Sequence, residues 1–249
     1  MVDSLQLILF YVSFPVLATI VGGVIATFRP PGPRVSSAIQ HFAAGVVFAA
    51  VASELLPEIS AEHNNVAVIG GFAAGVVLML GIKWLLEQTV GHGAHETGAV
   101  AQEEARGEGE WAGLVVTVAV DILVDGLLIG VGFAAGAEIG LLLTIALTLE
   151  LLFLGLSVAA ALTADEVGRG KAIAIIAGLA VLVLIGATVG TLLLGGLGAG
   201  WLVAVLSFGA AALLYLVTEE LLIEAHERED TPWVTALFFV GFLALFVLH

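Results

Sequence analysis

The chain has 249 residues, of which 60% are hydrophobic and only 12% charged, and its mean hydropathy is +1.15. Soluble domains have roughly 45–50% apolar and about 25% charged residues, so this composition indicates a polytopic membrane protein. The net charge of −15 argues against nucleic acid as a partner and is compatible with a cation ligand or a high-salt habitat. The absence of cysteine excludes disulfides and thiolate metal ligands.

Apolar runs long enough to cross a bilayer, which takes about 20 residues, occur about eight times along the chain. We therefore expect an all-α integral membrane protein, multi-pass in the cell membrane, with a single transmembrane domain over 1–249. The expected spans are 4–28, 35–58, 66–89, 111–137, 139–164, 172–194, 199–224 and 231–249.

The basic residues predict the orientation of these spans. They fall in alternate loops, with Lys83 near the end of the third span; the loop residues are Arg29 and Arg34, then Arg106, then Arg169 and Lys171, then Arg228. Because cytoplasmic loops carry the excess of Lys and Arg, these loops are expected in the cytoplasm. Both termini are then extracytoplasmic.

The long connection at 91–110 is polar, glycine-rich and acidic. This composition is typical of a mobile loop, which the predicted orientation places in the cytoplasm. Its His92 and His95, with Glu96 beside them, are candidates for a weak secondary metal site. The alternative is a solvated linker, because two histidines in a flexible loop form no complete coordination shell.

The second and seventh spans match each other without a gap at an offset of 166 residues. The match pairs Phe42 with Phe208 and Glu54 with Glu220. Since the second span is expected to run outward and the seventh inward, the match indicates an inverted repeat about an axis in the membrane plane. Chance similarity between two helices rich in Ala, Leu and Val is the alternative, although apolar bias does not account for paired glutamates.

Four carboxylates, Asp121, Asp125, Glu150 and Glu220, lie inside the apolar spans. An ionised side chain at bilayer depth is costly, so such residues usually mark an ion or substrate pathway. Asp121 and Asp125 are four residues apart and share a helix face, and a short loop at 137–139 brings them near Glu150. With no Lys or Arg expected at that depth, the cluster needs protons or a bound cation. A metal site, a proton-carrying site and a structural role for protonated acids all fit.

Other ionisable residues toward the span ends are candidates for a secondary site or a gate, namely Glu54, Glu219, Glu224 and His41. Each also has a simpler interpretation, because polar side chains are common where a helix leaves the bilayer. We expect Glu219 to point away from the carboxylate cluster and His41 and His226 to be interfacial, while both interpretations of Glu54 stay open.

Together these features resemble the ZIP family of divalent-metal permeases. That family has eight spans, both termini outside, and a variable, often histidine-containing, cytoplasmic loop between the third and fourth spans. The stretches 41–58 and 213–226 are similar to its second and seventh spans. DILVDG at 121–126 stands where the family's fourth span has His-Asn-X-Pro-Glu-Gly, and ELLFLG at 150–155 stands at the similar pattern of the fifth.

The resemblance implies a permease for a divalent cation such as Zn²⁺, Mn²⁺, Fe²⁺ or Co²⁺, acting by alternating access as a homodimer in the lipid bilayer. It places Asp121 at the family's His position and Asp125 at its Glu position. Glu150 takes the first position of the fifth-span pattern, and Glu220 matches the seventh-span acid, with Glu219 as the alternative register.

The departures from the family pattern change what such a site can bind. Ile122 and Leu154 stand where the family has an Asn and a second Glu, which removes ligands for a neighbouring metal, so a mononuclear site is expected. Losing the imidazole leaves oxygen donors only, which shifts preference from Zn²⁺ toward harder ions such as Mn²⁺, Mg²⁺ or Ca²⁺.

Other functions remain open at this stage. A non-transporting homologue that binds or senses metal is compatible with the altered motifs, and a proton-coupled carrier of another solute is compatible with the acids. An enzyme is not expected, because the spans contain no nucleophile motif such as G-x-S-x-G and no paired metal-ligand histidines.

The topology is testable because the chain has no native thiol. Cysteines introduced as Ser4→Cys and Ala105→Cys should differ in intact cells: a membrane-impermeant thiol reagent is expected to label the first and spare the second. The reverse pattern would mean that the orientation is inverted.

Overall fold

A computed structural model of the chain describes residues 2–61, 64–90, 110–194, 199–226 and 231–248. Within these ranges the regular structure is helical, as the apolar runs predict. The helices are α1 (Val2–Phe28), α2 (Pro33–Ala50), α3 (Leu56–Ala61), α4 (Asn65–Val90), α5 (Glu110–Ala135), α6 (Ala137–Ala164), α7 (Arg169–Leu194), α8 (Ala199–Tyr215), α9 (Leu222–His226) and α10 (Pro232–Leu248).

These helices form eight spans, which we number in chain order. The second span consists of α2, a π-helical turn at Val51–Leu55 and α3, and the seventh consists of α8, a π-helical turn at Leu216–Leu221 and α9. In the described part of the chain, seven spans are long and apolar enough to cross a membrane, while the apolar eighth is shorter, at 17 residues. The chain is therefore a multi-pass membrane protein.

The observed spans differ from the predicted ones mainly at their ends. The second span reaches from Pro33 to Ala61, beyond the predicted 35–58. Pro33 extends it because a proline in the first turn lacks only an N–H that would have no partner within the helix. The fourth and fifth spans are separated by Gly136 alone, where a loop at 137–139 was predicted.

The spans pack in two groups. Spans one, four, five and six form group A, in which the first contacts the fifth and sixth, and the fourth contacts the same two. Group B contains the other four spans: the second packs on the eighth, the third packs on the seventh, and the second and seventh also meet. The four predicted site carboxylates are divided between these groups, because the fourth and fifth spans lie in group A and the seventh in group B.

Glycines set the closest approaches within group A. A Cβ atom at Gly22 of the first span would overlap the backbone of the fifth span at Leu152, and one at Gly186 of the sixth span would overlap the fourth at Leu123. Lipid tails are as apolar as the helices themselves, so membrane helices associate largely through such close packing of small residues. The position of the acids on the fourth and fifth spans therefore depends on these glycines.

The spans of group B also approach each other closely at glycines. Gly241 of the eighth span lies against the backbone carbonyl of Phe42, and Gly75 of the third span lies against that of Phe208. Phe42 and Phe208 were paired by the sequence match, and Gly75 and Gly241 are separated by the same 166 residues. The correspondence between the two halves thus extends from one pair of spans to its packing partners.

Two glycines of the sixth span provide a matched test of this packing. Gly186→Ala should destabilise the protein by about 1–3 kcal/mol, the usual cost of overpacking, because its Cβ would meet backbone atoms of the fourth span. Gly178→Ala is the control, since nothing lies within 4 Å of a Cβ there and alanine favours helix. Thermal unfolding in detergent measures both, and equal effects would contradict glycine-mediated packing.

Candidate metal site

Two carboxylates on neighbouring spans form the buried centre of the site. Asp125 of the fourth span is 1% exposed and Glu150 of the fifth is 3% exposed. Asp125 Oδ2 and Glu150 Oε2 are both buried without a hydrogen-bond partner among the described residues. Buried polar atoms in native proteins almost always have a partner, and exceptions commonly mark a bound ion or a functional group.

The other two predicted carboxylates border this centre. Asp121 and Glu220 are half-buried. Glu150 is within electrostatic range of Asp121, Asp125 and Glu220, so that the ionised forms repel one another. The fold thus brings together the four acids that the sequence analysis singled out, with three from group A and one from group B.

The cluster consists of four acids, but their carboxyl groups do not form a metal coordination shell in their present positions. Among the described residues, no three His, Asp or Glu side chains come close enough together to hold a metal ion as they stand. The carboxyl groups are electrostatic neighbours, and a cation would have to draw them closer to be bound by several of them.

A lysine lies near one of the four acids, Glu220, which the sequence analysis did not predict. Lys83 Nζ of the third span is 3.3 Å from Glu219 Oε2 of the seventh. The lysine is also within electrostatic range of Glu220. Glu219 is exposed, as predicted, and its partner is now identified.

The π-helical turns place glutamates at equivalent points of the second and seventh spans. Glu54 lies in the turn at Val51–Leu55, and Glu220 lies in the turn at Leu216–Leu221. π-Helical turns occur frequently at functional sites. Glu54 is only 6% exposed and accepts a hydrogen bond from Ser53 Oγ at 3.4 Å, so it is buried within the protein.

His41 is also buried rather than interfacial, with 0% exposure. It packs edge-to-face against His226 of the seventh span. The remaining secondary candidates are not placed: His92, His95 and Glu96 lie outside the described residues, and Glu224 is located only as part of α9.

Comparison with known proteins adds no assignment. No protein-family model matches the chain. No curated protein matches it either. The resemblance to the ZIP family is therefore one of residue patterns and spacings alone.

The electrostatic attraction between Lys83 and Glu220 generates a prediction about cation binding. Lys83→Gln removes a positive charge that repels an incoming cation and that holds Glu219, so divalent-cation affinity should rise. The increase should be no more than about fivefold, since partly exposed ion pairs are worth up to about 1 kcal/mol. Affinity is measured by equilibrium dialysis of Mn²⁺ with the purified protein.

Lys171→Gln is the matched control for this experiment. Lys171 lies over the Trp111 ring, with Nζ 4.3 Å from the ring centroid, and its removal should leave Mn²⁺ affinity unchanged. Equal affinities for the two variants would show that Lys83 does not act on the cation site.

Proposed function

We propose that the chain is a divalent metal-ion permease that works by alternating access, with Asp121, Asp125, Glu150 and Glu220 as the ligands of one ion. The observation that carries the proposal is the pair of buried carboxylate oxygens, Asp125 Oδ2 and Glu150 Oε2, that have no hydrogen-bond partner among the described residues. A cation entering between the fourth and fifth spans would satisfy both oxygens at once.

The charge of the surroundings supports a cation as the substrate. An ionised carboxylate buried in an apolar environment is strongly unfavourable unless it is paired or hydrogen-bonded. Among the described residues, Lys83 is within electrostatic range of Glu220, and it is already bonded to Glu219. The group A acids therefore need either protons or a bound cation, and binding a divalent ion releases protons from its ligands.

The division into two packing groups supports alternating access. Asp121, Asp125 and Glu150 belong to group A, whereas Glu220 belongs to group B. An ion held by all four acids would lie between the groups, where movement of one group against the other exposes it to alternate sides. Secondary transporters of this kind commonly move one bundle against another around a site near the bilayer midplane.

An inverted repeat is supported by three independent correspondences. The glycine contacts of the first and fifth spans recur between the sixth and fourth, and those of the second and eighth recur between the seventh and third. The π-helical turns fall at matching positions. If the spans alternate in direction as the basic loops predict, the two halves are related by an axis in the membrane plane.

The donor set favours one ion of intermediate or hard character. Four carboxylates offer oxygen atoms only, which suits Mn²⁺ and leaves Fe²⁺, Co²⁺ and Zn²⁺ as further substrates. Ile122 is buried and Leu154 is half-buried beside the acids, and neither offers a donor to a second ion. We propose in addition that the protein acts as a homodimer in the cell membrane with both termini outside.

Metal analysis of the purified protein tests the site directly. We expect one bound Mn²⁺ per chain, lost in Asp125→Asn and in Glu150→Gln. Each variant should lose more than the roughly 10–100-fold in affinity that removal of a mere outer-shell partner costs. Two ions bound tightly in the helical core would contradict the mononuclear site.

Glu138→Gln is the matched control, because Glu138 is an exposed acid in the first turn of the same helix as Glu150. Mn²⁺ flux into proteoliposomes then separates transport from binding. Binding without flux would identify a non-transporting homologue, and acid-dependent proton flux without metal binding would identify a carrier of another solute.

A further inference from the structure

Two histidines from different spans meet where the second and seventh spans pack together. His41 lies in the second span and His226 at the end of the seventh, and their ring centroids are 5.0 Å apart with an interplanar angle of 60°. The spans are joined at this point by a hydrogen bond from Ser37 Oγ to the carbonyl oxygen of Ala225, at 2.9 Å. The two rings are therefore held together by the fold.

Both rings make the same hydrogen bond through Nδ1. His41 Nδ1 is 2.9 Å from the carbonyl oxygen of Ser37, and His226 Nδ1 is 2.5 Å from that of Leu222. Because a carbonyl oxygen only accepts, Nδ1 carries the proton in each case. In the neutral ring, Nε2 then keeps its lone pair and can bind a metal.

This arrangement is the one that metal-ligating histidines adopt. Such residues usually donate the other ring N–H to a backbone carbonyl or a carboxylate, which fixes the tautomer and the ring orientation. His41 is 0% exposed, and its Nε2 is buried with no hydrogen-bond partner among the described residues. The buried nitrogen thus lacks a partner that a ligand would supply.

The ring spacing also fits a shared ion. Two imidazoles bound to one tetrahedral ion, each with its nitrogen about 2.0 Å from the metal, have centroids roughly 5 Å apart. The observed 5.0 Å agrees with this value. Edge-to-face packing of two aromatic rings without a metal gives a similar spacing. The experiment below therefore has to distinguish a metal-binding pair from a packed pair.

We propose that His41 and His226 form a second metal site, which binds one divalent transition-metal ion through the two Nε2 atoms, with water completing the shell. Its nitrogen donors suit Zn²⁺, Co²⁺ and Cu²⁺, in contrast to the oxygen donors of the carboxylate cluster. Binding at this pair does not depend on the proposed transport. If the permease proposal holds, the pair lies on the cytoplasmic side of the carboxylates.

Copper provides a probe that distinguishes the two sites. Electron paramagnetic resonance of bound Cu²⁺ shows hyperfine coupling to imidazole nitrogen at a histidine site and none at a site of carboxylates. The full chain should be purified with its four other histidines replaced, as His63→Ala, His92→Ala, His95→Ala and His249→Ala. In this background we expect one Cu²⁺ per chain whose signal shows coupling to two nitrogens, in addition to any Cu²⁺ without such coupling at the carboxylates.

Single substitutions at the pair test the assignment. His41→Gln and His226→Gln should each abolish the two-nitrogen signal and weaken Cu²⁺ binding by more than the roughly 10–100-fold typical of a lost outer-shell partner. His226 is exposed, so its variant keeps the test valid if a substitution at the buried His41 prevents folding. The double variant should bind no more weakly than the weaker single variant, because losing one ligand already breaks the chelate.

Asp121→Asn with Asp125→Asn is the matched control in the same background, and it should leave the two-nitrogen signal intact. This control distinguishes loss of metal binding at the carboxylates from loss of metal binding at the histidines. The proposal is overturned if the background protein shows no two-nitrogen signal, or if that signal persists in either histidine variant. The histidines would then act only as packed aromatic rings.

Discussion

Close backbone contact at glycines is the constraint on which the arrangement of this protein depends. Between helices in a bilayer, burial of apolar surface gives little net attraction, so stability comes from tight packing and from the few polar contacts available. In this chain the closest contacts join spans that are distant in sequence, such as the first to the fifth at Gly22 and the fourth to the sixth at Gly186. These contacts determine which spans pack together and therefore which acids lie close to one another.

The same packing explains why the carboxylates lie between two groups of spans. Gly155 of the fifth span and Gly126 of the fourth each press against a different partner within group A, close in sequence to Glu150 and Asp125. Their spans therefore present acids toward the seventh span without being joined to it by such contacts. The second span of group B also packs on the fifth span of group A, so the proposed change of access would have to alter this contact.

The sequence predicted the helical class, the eight apolar segments and the burial of Asp125 and Glu150, because hydropathy and the cost of a charge in lipid act locally along the chain. It did not predict that His41 is buried or that Lys83 meets Glu219. Every face of a membrane helix is apolar, so periodicity gives no sign of which face meets which neighbour. The π-helical turns at Glu54 and Glu220 were also missed, since a single-residue change of helical register leaves no compositional mark.

The charge count around the cluster links metal binding to protons. Asp121, Asp125, Glu150 and Glu220 would carry four negative charges if all were ionised, and a divalent ion offsets two of them. Lys83 offsets little of the rest, because it is bonded to Glu219. Protons and a bound cation are then the alternative sources of positive charge for these acids in the described structure. A divalent ion held there as proposed competes with protons for the same carboxylate oxygens, so its occupancy falls as the proton concentration rises.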